Sequence, residues 1–596
     1  MIRELKPRNE MDSRYTWDLT AIFESMDAFE AAFAEAAQLM DSLTKWQGRV
    51  AEDPRAAIRE HSNLYEKVSR IVTYAGLYRD EDNGDPARQA LSDRVNRLMV
   101  SARSSAAFLD PELLMLPDKT LEEMQNDASF SDFSEMIRLL RRQKSHVLPA
   151  EQEALLAAMG EVKGAANDIF GKFNNVDLPL PLVPDEEGNM IQLTHGNMGP
   201  LLRCRNREAR KAALEGMNGT FGKFRSTVSA IYAASVKGDV FSSRARKYES
   251  ARQASLSPLE IPEAVYDNLI TEVENALPAM DEYLKIRKKY LGVDELHLYD
   301  LYVPMISDFD MKLSFEEACD LVCEGLSVLG EDYVGTLREA FKSGWIDVYE
   351  NKGKRSGAYS WGCYGVHPYV LLNHSDDLGG AMTLAHELGH AMHSYHSNKA
   401  QCFEKAGYSL FVAEVASTCN EVLLMHHLMN KFKGNKAAEA FLLNQLLEEF
   451  RTTVFRQTMF ATFEKESHAM YERGEAITGD VLCQIYLDLN KKYYGRECTV
   501  DQVIENEWMR IPHFYRNFYV YQYATGFSAA VAIANRILKL GAPAVEDYKK
   551  FLSAGSSVPP IEALKYAGVD MAQPTAVQEA MQVFADTVKQ LHEMDA

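Results

Sequence analysis

The chain has 596 residues, 46% of them hydrophobic and 25% charged. That is enough apolar material for more than one packed core, and it excludes global disorder. The 86 acidic residues outnumber 64 Lys plus Arg, giving a formal charge of -22. So acidic a surface repels phosphate backbones and anionic lipid, so neither nucleic acid nor a membrane is the expected partner. No apolar run reaches the ~18–20 residues that cross a bilayer. The charged start Met1-Ile-Arg-Glu-Leu-Lys lacks the apolar stretch of a secretory leader, so a cytoplasmic location is expected. Eight cysteines are scattered without a CxxC pair, the pattern of reduced thiols rather than a disulfide framework.

In chain order, apolar spacings of three and four predict helices over Met26–Gln47, Pro54–Tyr78, Pro86–Asp110, Glu151–Phe173 and Ile261–Leu291. Basic runs at Arg138–Lys144 and Arg203–Lys211 read as solvated helix faces with intrahelical ion pairs. Three prolines in Val176-Asp-Leu-Pro-Leu-Pro-Leu-Val-Pro forbid a helix there. The turn Asp185-Glu-Glu-Gly-Asn between short apolar runs predicts a β-hairpin. A boundary is expected near residue 200, giving an N-terminal helical region (1–110), a helical region ending in the hairpin (111–200) and a C-terminal catalytic region (201–596). The aromatic, glycine-interrupted stretch after Gly357 predicts two short strands with a turn at Gly362–Gly365. Asn373-His-Ser-Asp-Asp-Leu-Gly-Gly then reads as a polar loop that caps the following helix.

Residues 386–390 read His-Glu-Leu-Gly-His. On a helix, positions i and i+4 lie about 40° apart, so His386 and His390 project from one face and can share a zinc ion. Glu387 sits about 100° round, able to reach a metal-bound water as general base. With 15 histidines in the chain, such a motif arises by chance in roughly 3% of sequences, so a third ligand carries more weight than the motif alone. Glu414, flanked by Phe411, Val412, Ala413, Val415 and Ala416, supplies one, because coordination removes the cost of burying an unpaired carboxylate. Three protein ligands leave a fourth position for water, the pattern of a catalytic zinc site, one Zn2+ per chain. Glu421, two turns on, shares the face of Glu414 and is expected to receive a histidine N–H. Downstream, His513 stands beside Tyr515, Tyr519, Tyr521 and Tyr523. Phenol O–H groups near a metal can hydrogen-bond a developing oxyanion, and periodicity alone does not separate them from core aromatics. His393, His396, His426 and His427 read as ordinary helix histidines.

His386-Glu-Leu-Gly-His-Ala-Met-His-Ser-Tyr, Phe411-Val-Ala-Glu-Val-Ala-Ser-Thr and His513-Phe-Tyr-Arg-Asn-Phe-Tyr-Val-Tyr-Gln-Tyr-Ala-Thr-Gly together resemble the M3 family of zinc metallopeptidases, in its oligoendopeptidase F branch. Tyr15-Thr-Trp-Asp-Leu and the 185–194 hairpin resemble that branch's N-terminal region. The resemblance implies a mostly α, multihelical, two-lobed zincin-like fold with a deep substrate channel and a small β element near the metal helix. It implies internal cleavage of short peptides in the cytoplasm. His386, His390 and Glu414 take the ligand positions, Glu387 that of the base, and His513 with one or more of the tyrosines that of transition-state donors. Two other readings stay open. One is a related helical zinc carboxypeptidase, with Arg510 or Arg516 for the substrate's carboxylate. The other is a catalytically silent peptide-binding protein. The oligomeric state is not legible.

Overall fold

The computed structural model describes residues 5–306 and 311–594. It is mostly helical, as the sequence predicts, with five short strands among the described residues. Helices begin where the sequence supplies caps. Ser25 accepts the Ala28 N–H ahead of the helix Met26–Thr44. Asp53 and Asp85 cap Pro54–Asp80 and Pro86–Ala106, each opening on a proline whose missing N–H is harmless in a first turn.

Two expectations are corrected. The stretch 261–291 is two helices, Glu263–Asn275 and Leu277–Leu291. Pro278 cannot donate to the carbonyl four residues back, so the ladder breaks at Ala276. Arg207 and Arg210 are not a solvated face either. They converge on buried Asp300 at 2.8 and 2.7 Å, and Arg210 is only 4% exposed.

The chain forms two compact units, each assembled from separated stretches. Unit 1 comprises Met1–Lys144, Asp310–Asn430 and Ala530–Asp570; unit 2 comprises Ser145–Phe309, Lys431–Ala529 and Met571–Ala596. Unit 2 contains the predicted hairpin, β1 (Leu182–Pro184) against β2 (Met190–Gln192) with Val183 opposite Ile191. Its interior carries buried ion pairs, such as Arg287 and Arg451 on Glu448.

Unit 1 holds a three-stranded sheet of β3 (Ile346–Asp347), β4 (Tyr359–Trp361) and β5 (Tyr369–Leu371), in the order β3-β5-β4. Buried β5 is parallel to β3 and antiparallel to β4. The Tyr15–Asp18 segment covers the outer side of β3: Val348 N–H donates to Tyr15 O at 2.9 Å and Asp18 N–H to Gly344 O at 2.8 Å. Trp17 and Tyr369 bury their rings in one core with Phe29, Leu64, Ile71 and Leu98. Arg8 pairs with both Glu81 and Asp347, pinning the N-terminal segment down. With β3 covered, β4 forms the other edge of the sheet. All eight cysteines are free thiols. Among the described residues, no helix is long and apolar enough to cross a membrane.

Candidate active site

The motif lies on the helix Leu378–Ala400, which Asp377 caps by accepting the Gly380 N–H at 2.9 Å. The polar loop 373–380 thus ends in a cap, as read from the sequence. The helix Leu410–Lys431 packs across it within unit 1. Gly389 permits the close crossing. A Cβ there would lie 2.4 Å from Ser417 Cα and 2.6 Å from Ala416 O. Asn420 straps the pair, donating to Ala385 O at 3.1 Å while Tyr333 O–H donates to its carbonyl oxygen at 3.0 Å.

The crossing gathers His386, His390 and Glu414, with one donor atom from each within 4.8 Å of the others. Glu414 Oε2 lies 3.4 Å from Nε2 of both imidazoles. The edge of a tetrahedron built on zinc–nitrogen bonds of ~2.05 Å is about 3.3 Å, so donor types and spacing both fit that ion. His386 Nδ1 is 3.1 Å from Glu421 Oε2, which turns its Nε2 toward Glu414. Ser417 O–H donates to Glu414 Oε2 at 3.2 Å.

The cluster concentrates negative charge. Burial works against an imidazolium at His386, but hydrogen bonds to Glu414 and Glu421 outweigh it and carry its pKa up to about 10. Hydrogen bonds from His386 and His390 hold Glu414 far below the ordinary carboxylate range. Protons and a divalent cation answer the same electrostatic need and compete for the same nitrogens. Glu387 is 6% exposed, and its Oε2 has no hydrogen-bond partner. Burial raises its pKa, against the opposing pull of His386 and His390.

Other histidines of the motif helix serve packing. His393 stacks on Tyr408 at 3.7 Å, and burial drives its pKa down to about 3. His396 faces Tyr333. On the helix Leu410–Lys431, His427 lies 3.4 Å from Glu324. Tyr408 hydroxyl shares a hydrogen bond with Ser394 at 2.8 Å, bracing the motif helix.

The aromatic stretch belongs to unit 2 and sorts into a trio and a pair. His513 lies parallel to Tyr519 at 6.2 Å, and Tyr523 stands edge-on to both, 6.0 Å from His513 and 5.5 Å from Tyr519. These three rings are partly exposed. In the pair, Tyr515 is partly exposed as well and only Tyr521 is buried, but both rings pack on other aromatics. Tyr515 stacks on Phe170 at 4.4 Å, and Tyr521, 1% exposed, packs on Tyr266 at 5.0 Å. Arg510 is taken up by buried Glu507 at 2.7 Å, and the Arg516 guanidinium lies 4.3 Å over the Tyr519 ring. Sequence reading missed Gly389, Ser417, Asn420 and Tyr408. Only Gly389 carried a signal: a glycine inside a helix is destabilising by roughly 0.5–1 kcal/mol and calls for a packing reason.

Residues 200–583 match the family described as Peptidase family M3, and residues 112–179 match that described as Oligopeptidase F. Oligopeptidase PepF of Bacillus subtilis is 43% identical over 99% of this chain and 89% of its own length. Group B oligopeptidase PepB of Streptococcus agalactiae is 36% identical over 99% and 98%. A solved structure from Chlamydophila abortus superposes with a TM-score of 0.94 at 32% identity, covering 99% of this chain and all of that one. Oligoendopeptidase-F of Enterococcus faecium gives 0.72 at 34% identity, covering 95% and 99%.

Proposed function

Because the chain belongs to peptidase family M3 and is a metalloendopeptidase, we propose that it cleaves internal bonds of short oligopeptides with Zn2+ held by His386, His390 and Glu414, and with Glu387 as the general base. One observation carries this reading: three donor atoms within 4.8 Å of one another, one residue from a buried carboxyl oxygen that has no hydrogen-bond partner. A Zn2+ bound there supplies Lewis acidity, which makes water a stronger acid and polarises a carbonyl.

The chain's own groups do the rest. Glu387 Oε2 accepts the proton of the attacking water and returns it to the leaving amine. Glu421 accepts the His386 Nδ1–H and so presents Nε2 as the ligand atom. Ser417 holds Glu414 in its rotamer. His513, Tyr519 and Tyr523, whose rings lie against one another, serve as hydrogen-bond donors to the oxyanion; Tyr515 on Phe170 and Tyr521 on Tyr266 serve packing. β4, at the sheet edge, pairs with the backbone of an extended peptide, which reads no side chain and suits broad specificity.

The test is mass spectrometry of products from a mixed pool of short peptides, half of them C-terminally amidated, with and without chelator. The expected result is internal cutting of amidated and free peptides alike, lost with chelator and restored by zinc. Cutting that survives chelation removes the metal from the reaction. Cutting confined to free C-termini replaces the endopeptidase by the carboxypeptidase reading.

A further inference from the structure

Glu464 lies within the helix Arg456–Glu472 of unit 2 and is fully buried. Its neighbours are Tyr232, Tyr266, Tyr521 and Asp239, and Asp239 is itself matched by Lys163 at 3.1 Å. Oε2 has no hydrogen-bond partner. Oε1 has one: it accepts the backbone N–H of Phe518 at 2.5 Å. Burial and the charge of Asp239 push its pKa well up, against the opposing pull of the Phe518 N–H.

Among the described residues, Phe518 is one of three non-glycine residues with positive φ, at 52°. A bulky side chain adopts that left-handed conformation only where its surroundings enforce it. The enforcement is visible. The ring is 2% exposed and lies 4.7 Å from His468, one turn beyond Glu464 on the same helix. The preceding carbonyl, Asn517 O, accepts from Ser255 O–H at 3.0 Å. The reversal at Phe518 separates the Pro512–Tyr515 turn, which carries His513, from Tyr519 and from the helix Tyr521–Leu540. It is what brings Tyr519 back alongside His513.

We propose that Glu464 is a positioning residue for the peptidase reaction: its carboxyl clamps the Phe518 amide and so fixes Tyr519 and Tyr523 in register with His513. The inference rests on the reading of those three side chains as oxyanion donors. An apolar residue at 464 would leave the Phe518 N–H buried and unbonded. Glutamine keeps a carbonyl acceptor of the same reach, and aspartate withdraws it by one methylene.

The experiment measures kcat and KM on a quenched amidated peptide, with metal stoichiometry, for Glu464→Met, Glu464→Asp and Glu464→Gln beside Tyr519→Phe, Tyr523→Phe and His513→Phe. Removing one oxyanion donor costs ~10²–10³ in rate, and misplacing one costs about a hundredfold. Glu464→Met and Glu464→Asp are therefore expected to lower kcat by about ten- to a hundredfold, with KM within about threefold and full metal content. Glu464→Gln is expected to stay within about threefold of the parent. If Glu464→Met does not fold, Glu464→Asp and Glu464→Gln give the same contrast. Parental kcat in Glu464→Asp, or a Glu464→Gln as slow as Glu464→Asp, overturns the clamp. If the Tyr519, Tyr523 and His513 variants all keep parental kcat, the donor reading fails instead. If they lose it while the Glu464 variants do not, only the clamp fails.

Discussion

Along the helix 378–400, every side chain aimed at the metal cluster is placed by a constant rotation per residue, and one glycine lets the second helix approach. Between residues 512 and 523 no such regularity exists. A short turn, a left-handed Phe518 and a new helix follow one another, and a carboxyl 54 residues upstream sets the reversal. The first region is specified locally and assembled by helix packing. The second is specified by one buried tertiary hydrogen bond. Substitutions in the first should therefore move metal affinity or proton transfer, and substitutions in the second should move turnover alone.

The largest expected effect separates chemistry from metal binding inside the first region. Glu387→Gln keeps the side chain's shape but cannot take a proton. It should retain stoichiometric zinc by elemental analysis while kcat falls about 10³–10⁴-fold. Turnover near the parental rate would remove Glu387 from the reaction.

Gly389→Ala comes next. Its Cβ would sit 2.4 Å from Ser417 Cα, and neither contacting atom is a flexible side-chain end. The helices must part, carrying Glu414 away from both imidazoles. Competition against a chelating dye should show zinc affinity reduced about a hundredfold, although no ligand has been changed. An affinity within about threefold of the parent would mean that the crossing has slack.

The contrast between the two regions also explains what could be read from the sequence. The 3.6-residue period places His386 and His390 on one face wherever that helix goes. The apolar flank of Glu414 predicts a buried carboxylate; Phe411, Val412, Val415 and Ala416 are buried, but the Glu414 side chain itself is 46% exposed. The strand pair, the hairpin at 182–192 and the cap at Asp377 follow from glycine, proline and aspartate acting on their own neighbours. Asn420, Tyr333 and Ser417 matter only because two helices cross at one point, and no local pattern encodes that point. Four tyrosines in nine residues signal something unusual, but which of them pack on Phe170 and Tyr266 depends on unit 2 as a whole. The break at Pro278 was legible and was overridden by a strong apolar period on both sides of it.

A smaller effect is expected at Glu421. It touches His386 only through Nδ1, so Glu421→Gln keeps a hydrogen-bond acceptor and loses the charge that makes the imidazole a better ligand. Partners of this kind typically contribute ten- to a hundredfold in metal affinity. The low end, about tenfold, is expected by the same dye competition, with kcat at saturating zinc within about threefold. An unchanged affinity would show that Glu421 orients nothing.

The smallest effect concerns how the two units answer acid, where buried groups carry opposite signs. In unit 1, the His61 ring lies tilted against Tyr65 at 4.4 Å, its Nδ1 has no partner, and burial lowers its pKa from 6.5 to about 4. Between those values the unfolded chain binds a proton that the fold refuses. The stability His61 contributes is therefore present above pH 6.5 and is lost as pH falls toward 4. In unit 2, Glu464 has its pKa raised by burial. The fold keeps a proton that the unfolded chain releases above its ordinary 4.5. That contribution is full below pH 4.5 and declines as pH rises. At one unit per 1.36 kcal/mol, discounted for the partial exposure of His61, the His61 contribution to unit 1 should change by roughly 1–2 kcal/mol between pH 7 and pH 4.5. His61→Phe should flatten the acid loss in unit 1, and Glu464→Gln should flatten the neutral-pH loss in unit 2. Denaturant-dependent hydrogen exchange, resolved by peptide at pH 5.0 and 7.5, reads the two units separately. A parental pH response of unit 1 in His61→Phe would mean that the acid sensitivity resides in other groups, with His393 and His396, held near 3 and 4 by burial, the next to replace.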